Sequence, residues 1–290
     1  MPVPLVENAP AKVNLTLRVL GRRADGYHDL ESVVVFADFG DRLSLSRGGE
    51  LKLAVRGPSA VQAGEADDNL VLKAARAFAQ RRPQAVLGTF RLDKRLPVAA
   101  GLGGGSADAG AALRLIAKAN GLAGDDPDLY AAAKATGADV PVCLDPRPRI
   151  MRGVGEVLSA PLSLPKLPAV LVNPGVALPT KAVFARWTPA ARPATASDVD
   201  AVVKRLSRDQ LLQFLSTQSN DLEAPAVGLQ PVIADVLTTL RGFPGCRLAR
   251  MSGSGATCLA LFSSATAARE SAKILRGKFP LWWVKATTLN

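Results

Sequence analysis

The chain has 290 residues, 48% of them apolar, and a formal net charge of +11; such a length and composition exclude a disordered tail or a disulfide-stapled miniprotein and leave one large folded domain or two ordinary ones. No run of about 18 apolar residues occurs and the opening MPVPLVENAP lacks signal-peptide order, so neither a membrane span nor secretion is expected and a cytoplasmic protein is. Cys143, Cys246 and Cys258 are odd in number and show no C-x-x-C spacing, which argues against a disulfide framework or a zinc site. The basic charge suits nucleic acid or a polyanionic small molecule, but it is scattered and aromatics make up only 5%, which weighs against a single-strand binding groove.

In chain order, APAKVNLTLRVL (9–20) alternates, with Val13, Leu15, Leu17 and Val19 on one face and Lys12, Asn14, Thr16 and Arg18 on the other. The pattern predicts a half-buried strand whose polar face meets solvent or a ligand. A turn over Gly21–Gly26, the apolar run Val33–Phe36 and the alternating segments RLSLS and ELKLAV, joined at Gly48-Gly49, predict a mostly antiparallel sheet. Asp67-Asp68-Asn69 offers N-cap chemistry to a helix over LVLKAARAFAQRR, and a strand over 86–92 leads into a glycine-rich loop. Helices are predicted from about 107 to 120, stopped by Gly121, and over 127–136, ended by Gly137.

Prolines at 161, 165, 168, 174 and 179 mark a looser passage, and a domain boundary is placed near 150–165. Beyond it come the strand AVLVN, helices near 179–187, 197–206, 208–216 and 229–241, and an exposed loop over 188–197. The chain closes on strands CRLARMS and TCLALF about Gly253-Ser-Gly255, a helix to Arg276 and the strand LWWVKAT. This strand–strand–helix–strand ending suits a ferredoxin-like α+β sandwich.

The loop LPVAAGLGGGSADAG (96–110) carries the clearest chemistry. Glycines let the backbone approach a ligand, and the first helical turn after them presents N–H groups without intrahelical partners at the positive end of the helix dipole, a setting for phosphate. Neither a P-loop nor a dinucleotide fingerprint is present, since no lysine follows the glycines and Ser106 stands where the last glycine of G-x-G-x-x-G would be. Lys12 and Asn14 share one strand face, which by pattern alone is as well explained by solvent as by a ligand. Asp139, in TGADVPVCL, is a lone carboxylate among small and apolar residues: either a turn or cap residue, or, with a basic partner such as Lys12, a base for a substrate hydroxyl. His28 is the only histidine and has no G-x-S-x-G elbow to serve, so hydrolase chemistry is not expected. With Tyr27 it can stack on or hydrogen-bond to a nucleobase, or it serves only the structure, as a single histidine more often does. MSGSGA (251–256) is a second glycine hinge, either a plain hairpin or a backbone approach to a ligand.

Taken together, PAKVNLTLRVLGRRADGYHDLESV, LPVAAGLGGGSADAGAAL, TGADVPVCL and MSGSGATCLALF resemble the successive motifs of the GHMP kinases over nearly the whole chain. P-A-K-x-N-L followed by G-Y-H resembles one branch, whose members phosphorylate the 2-hydroxyl of 4-diphosphocytidyl-2-C-methyl-D-erythritol on the non-mevalonate route to isoprenoids. The resemblance implies an α+β, two-domain fold: an N-terminal nucleotide-binding domain (1–155) with a left-handed βαβ crossover and a C-terminal ferredoxin-like domain (156–290). It implies that Lys12 and Asp139 are catalytic. It assigns ATP to Pro97, Val98, Ala99, Ala100, Gly101, Leu102, Gly103, Gly104, Gly105, Ser106 and Ala107, with Asn69 and Lys94 near the adenine, and the cytidyl substrate to Asn14, Tyr27, His28, Thr180 and Phe184. ATP and Mg²⁺ are the implied cofactors, with the metal ligands unassigned, and a small-molecule substrate is the implied partner, with no nucleic acid, membrane or obligate protein partner.

Ala107 departs from the family's common second serine, so any role of that hydroxyl is lost or falls to Ser106. Two other readings are weighed: a GHMP kinase for homoserine or mevalonate, in which G-Y-H would have no use, and an RNA-binding protein drawing on the +11 charge.

Overall fold

The computed structural model describes residues 3–64, 68–189 and 206–290. Asp67, most of the loop expected over 188–197 and all but the last residue of the helix expected over 197–206 lie outside the described residues. The chain forms two compact units that interleave in sequence. One comprises Met1–Lys12, Phe39–Val98 and Gly103–Pro146, the other Val13–Asp38, Ala99–Leu102 and Arg147–Asn290. A cut after residue 155 therefore leaves three stretches before it, 13–38, 99–102 and 147–155, in the second unit. No helix among the described residues is long and apolar enough to cross a membrane.

Strand β1 (Leu5–Asn14) ends earlier than the alternation implies, and β2 (Arg18–Arg22) resumes after a break. Its polar face is not open to solvent: Lys12, Asn14 and Thr16 are 4%, 2% and 5% exposed. Alternation reports two faces but not what covers them, and here protein polar groups cover the polar one. Strand β3 (His28–Arg56) is one long extended segment that doubles back at Gly48-Gly49.

In the first unit, β4 (Gly88–Asp93) pairs with both arms of that hairpin. Partner numbers fall along Arg42–Arg47 and rise along Lys52–Arg56, so the second pairing is parallel. Parallel neighbours need a crossover, supplied by helix α1 (Leu70–Arg81), which makes a βαβ unit. Asn69 caps α1 by accepting from the Val71 N–H, and Val71, Leu72, Ala74, Ala75 and Phe78 form its buried face.

Helix α2 (Gly104–Ala119) begins three residues before the predicted start, because Ala107 N–H already bonds to the Gly103 carbonyl and draws the glycines into the first turn. Side-chain periodicity cannot detect a turn made of glycine. A Cβ at Gly110 would collide with the Cys143 carbonyl, so α2 lies directly against the short helix α4 (Val140–Leu144). Helix α3 (Pro127–Thr136) matches its predicted span, capped by Asp126.

The second unit carries β7 (Leu167–Asn173), β8 (Cys246–Met251), β9 (Cys258–Phe262) and β10 (Trp283–Leu289) in the order β10-β7-β9-β8, every pair antiparallel. That is the ferredoxin-like order. All seven residues of β7 are buried, as befits a strand covered on both faces. The passage expected to be loose holds β5 (Arg149–Gly153), paired with β3, and β6 (Val157–Leu158); the prolines begin only after them.

Among the described residues the helices of this unit are α5 (Thr180–Arg186), α6 (Arg208–Ser216), α7 (Glu223–Leu229), α8 (Val232–Arg241) and α9 (Ala265–Lys278). The single helix predicted over 229–241 is therefore preceded by another, divided from it at Gln230-Pro231. Proline lacks the N–H and pushes the residue before it out of helical geometry. Val170, Val172, Ile233, Val236, Leu240, Ala260 and Leu275 belong to the core that joins these helices to the sheet.

Candidate active site

Lys12 enters the first unit's site from the end of β1. Its stem packs where a Gly103 side chain would sit, with Cε 3.0 Å from the position of a Cβ there, and its Nζ lies 2.8 Å from Asp139 Oδ2. Lys12 is nearly buried, whereas the Asp139 side chain is 35% exposed at the head of α4. The geometry thus joins a strand lysine, the glycine at the head of α2 and a carboxylate open to a ligand. First-turn N–H groups and the helix dipole supply positive potential at the same place.

The glycine loop holds several unusual backbone conformations. Ala99 has φ 52°, Gly101 73° and Gly103 58°. Non-glycine residues with positive φ are uncommon and concentrate where the chain must present its backbone to something. In the second unit a Cβ on Gly101 would lie 2.5 Å from the Ser252 carbonyl oxygen, so only glycine fits. Ser252 Oγ donates to the Gly101 carbonyl (3.0 Å) and accepts from the Asn14 N–H (3.1 Å), while Asn14 Nδ2 donates to Ser32 Oγ (2.7 Å). Thr180 Oγ1 and Ser254 Oγ are 2.8 Å apart. The hinge at 251–256 is therefore more than a hairpin turn: it holds the loop and Asn14.

Beneath the head of α2 lies a buried ion triad. Lys94 Nζ donates to Asp41 Oδ2 and Asp108 Oδ2, both at 2.6 Å, and sits 3.2 Å from where a Gly104 Cβ would be. Asp41 Oδ1 also accepts from the Arg95 and Leu96 N–H groups (2.5 and 2.8 Å), but Asp108 Oδ1 is buried without a partner. Burial pushes the Asp108 carboxyl well above its ordinary range, against the pull of Lys94 and with the Asp41 charge adding to the rise. For Lys94, burial opposes the charged form, but the two carboxylates outweigh it and raise the ammonium above its ordinary value.

The second unit also gathers an aromatic group. The His28 ring stacks on Phe184 with centroids 4.8 Å apart and planes 25° apart, and meets Trp187 edge-on at 5.6 Å. Desolvation, then the Arg22 charge, pushes the imidazole below 6.5. It is therefore neutral at pH 7, with one ring nitrogen donating and the other accepting. Tyr27 is 62% exposed.

Family models for the GHMP kinases N terminal domain and the GHMP kinases C terminal match residues 69–145 and 195–281. The chain is 56% identical to the 4-diphosphocytidyl-2-C-methyl-D-erythritol kinase of Xanthobacter autotrophicus, over 97% of this chain and 98% of that protein. It is 54% identical to the enzyme of the same name from Methylorubrum extorquens, over 98% and 99%. The chain belongs to the GHMP kinases. A crystal structure of a 4-(cytidine 5'-diphospho)-2C-methyl-D-erythritol kinase, 34% identical, superposes with a TM-score of 0.78 over 99% of both chains. Homoserine kinase from Cytophaga hutchinsonii, 19% identical, matches at 0.74 over 100% of this chain and 96% of its own and shows the shared fold.

As a GHMP kinase the chain is an ATP-dependent enzyme acting on a small molecule, and the two-domain α+β fold expected from its motifs is the one observed. Of the expected site residues, the first unit brings together Lys12, Asp139, Gly103, Gly104 and Lys94. Asn69 is next to Leu70, whose Cδ1 lies 3.3 Å from a Cβ placed on Gly105. The second unit joins Asn14 to Gly101, and His28 to Phe184.

Sequence reasoning missed Ser32, Asp41, Asp108, Trp187 and Ser252. Ser252 lay within a quoted motif, and Asp108 within the glycine segment. Asp41 and Trp187 had no local signal, since their partners are distant in sequence. The cysteines add no nucleophile at Lys12: Cys143 is pushed up to about 12, first by burial and then by the Asp139 charge.

Proposed function

We propose that this GHMP kinase transfers the γ-phosphoryl group of ATP to the 2-hydroxyl of 4-diphosphocytidyl-2-C-methyl-D-erythritol. The observation that carries the chemical half of this reading is the Lys12–Asp139 pair, 2.8 Å apart and packed against Gly103. The names of relatives sharing more than half of their residues over their full length support the choice of acceptor.

Asp139 takes the hydroxyl proton as the new O–P bond forms. The bond from the γ-phosphorus to the leaving oxygen breaks, and ADP departs with the electron pair. Lys12 orients the carboxylate and places positive charge beside the phosphoryl group in flight; positioning and charge stabilisation are what such transfers require. Residues 97–107 hold the phosphates, with Asn69 and Lys94 toward the adenine and Lys94 acting through the turn it supports. Mg²⁺ neutralises phosphate charge when bound. It usually takes one or two protein oxygens beside phosphate and water, and the Asp139 carboxylate and Ser106 hydroxyl are donors of that kind. Tyr27 and Phe184 stack on the cytosine, and the neutral His28 reads its polar edge, while Asn14 and Thr180 orient the rest of the substrate.

We assign residues 1–155 and 156–290 to the ATP-side and substrate-side domains, which puts one family model in each. The protein is read as cytoplasmic and active without an obligate partner. The test is ATP-dependent phosphorylation of the cytidyl substrate, homoserine and mevalonate, each with and without Mg²⁺. Magnesium-dependent turnover of the cytidyl substrate alone is expected. Turnover of another acceptor instead overturns the nucleobase pocket, and none at all, with salt-sensitive RNA binding, overturns the kinase reading.

A further inference from the structure

A groove of about 430 Å³ lies in the second unit along the outer edge of β8, where Asn220, Glu223, Arg241, Arg247 and Arg250 converge. It uses none of the residues assigned above. Arg250 is only 6% exposed, and its guanidinium is fixed by three main-chain carbonyls, those of Leu15 (2.6 Å), Leu215 (2.8 Å) and Gln218 (2.5 Å). Carbonyls orient a cation without neutralising it. Burial, then the neighbouring Arg241, works against its charge, and only Glu223 favours it.

The two outer arginines are weakly held. Arg241 is 3.9 Å from Glu223 and Arg247 3.8 Å from Asp209, with Arg241, Arg247 and Asp209 55%, 48% and 81% exposed. Exposed pairs at such distances contribute little, and the hydrogen bond from Arg241 Nη2 to the Ala249 carbonyl is long at 3.4 Å, so both guanidinium heads can turn to a ligand at small cost. Glu223, the one acid lining the groove, already accepts from the Met251 N–H at 2.9 Å. Three guanidinium groups thus meet one committed carboxylate, Glu223, and one exposed, loosely held one, Asp209. A single carboxylate ligand offers one bidentate contact; a diphosphate, with several negative charges and oxygens, can engage more than one guanidinium at once.

We propose that this groove is a second binding site that takes the phosphate or diphosphate group of a small metabolite. Its floor is the back of the hinge that holds the glycine loop: Asn220 Nδ2 donates to the Met251 carbonyl (2.9 Å) and the Gly253 carbonyl (2.7 Å), between which Ser252 reaches Gly101 and Asn14. An anion drawing on Arg241 and Arg250 therefore bears on the segment that positions the loop.

The test is calorimetric titration of inorganic pyrophosphate into the full chain without nucleotide, since a nucleoside diphosphate would occupy the groove as well. A pyrophosphate site is expected whose Kd rises about tenfold or more in the Arg241→Ala/Arg247→Ala double variant, while any pyrophosphate held at the phosphate loop is unaffected by that variant. Glu223→Gln keeps an oxygen for the Met251 N–H but removes the opposing charge, so it is expected to tighten binding several-fold, an effect that damage to the fold would not produce. No pyrophosphate binding, unchanged affinity of every site in the double variant, or weaker binding in Glu223→Gln each overturns the proposal. The outcome is independent of which hydroxyl the kinase phosphorylates.

Discussion

Lys12 reaches Asp139 from the end of a strand, its stem lying where a side chain at Gly103 would be and its ammonium 2.8 Å from the carboxylate. One contact therefore ties the proposed base to the head of the helix proposed to receive phosphate. Asp139 is a third exposed, whereas its partner Lys12 is nearly buried, so the carboxylate both faces a ligand and compensates a buried ammonium.

Asp139→Asn preserves shape and removes the basic carboxylate. Turnover is expected to fall by on the order of 10² or more, with a lower melting temperature because the nearly buried Lys12 ammonium loses its carboxylate, while the protein stays folded at the assay temperature. Steady-state kinetics beside a thermal melt checks this, and near-normal turnover rejects the base.

Phe184→Ala is expected to raise KM for the cytidyl substrate about tenfold while leaving KM for ATP within about twofold, since stacking on a base is worth about 1–3 kcal/mol. His28 adds a pH signature. Its imidazole is held below 6.5, so recognition that needs the neutral ring persists down through that value and is lost only as pH falls through the lowered pKa. KM for the cytidyl substrate followed from pH 8 to 5 reports it; a rise centred above 6.5 contradicts the assignment.

Asp108 makes an unusual prediction about stability. Its carboxyl is raised in the folded protein, so between the unfolded value near 3.8 and the raised folded value the native state keeps a proton that the unfolded chain has lost. Stability contributed by this group therefore falls as pH rises through that window. The raised Lys94 ammonium stabilises below 10.5 and loses that contribution only as pH rises through its folded value, outside the range tested. Asp108→Asn has no proton to lose, so its stability relative to the parent should improve from pH 4 to pH 8. Urea unfolding of both proteins at pH 4, 6 and 8 measures the difference, and a constant or worsening difference refutes the protonated carboxyl.

Gly101→Ala introduces a side chain at φ 73° and 2.5 Å from the Ser252 carbonyl oxygen. The loop must move, and a loss of about 1–3 kcal/mol is expected together with a higher KM for ATP. A variant as stable as the parent with unchanged KM would show that the loop adapts freely.

Local signals were legible where the chain interacts with itself nearby. The span of α3 was predicted with Gly137 as its stop, and Asp126 and Pro127 fix its start, because capping and φ restriction act over a few residues. The ferredoxin-like ending followed from alternation and short connections. Less accessible were the glycine turn that opens α2, whose residues have no side-chain period, and the break at Gln230-Pro231, which a 3.6-residue pattern runs across.

By itself, the sequence determined the family and singled out the glycine loop, since Lys12, the glycines and Asp139 stand in motifs whose backbone needs are written locally. Only the tertiary structure decided that the polar face of β1 is buried, that Asp41 and Asp108 share the Lys94 ammonium, that His28 lies on Phe184, and that three arginines face one acid along β8. The reason is physical: burial and charge pairing depend on which distant segments meet, and no local period or spacing records that.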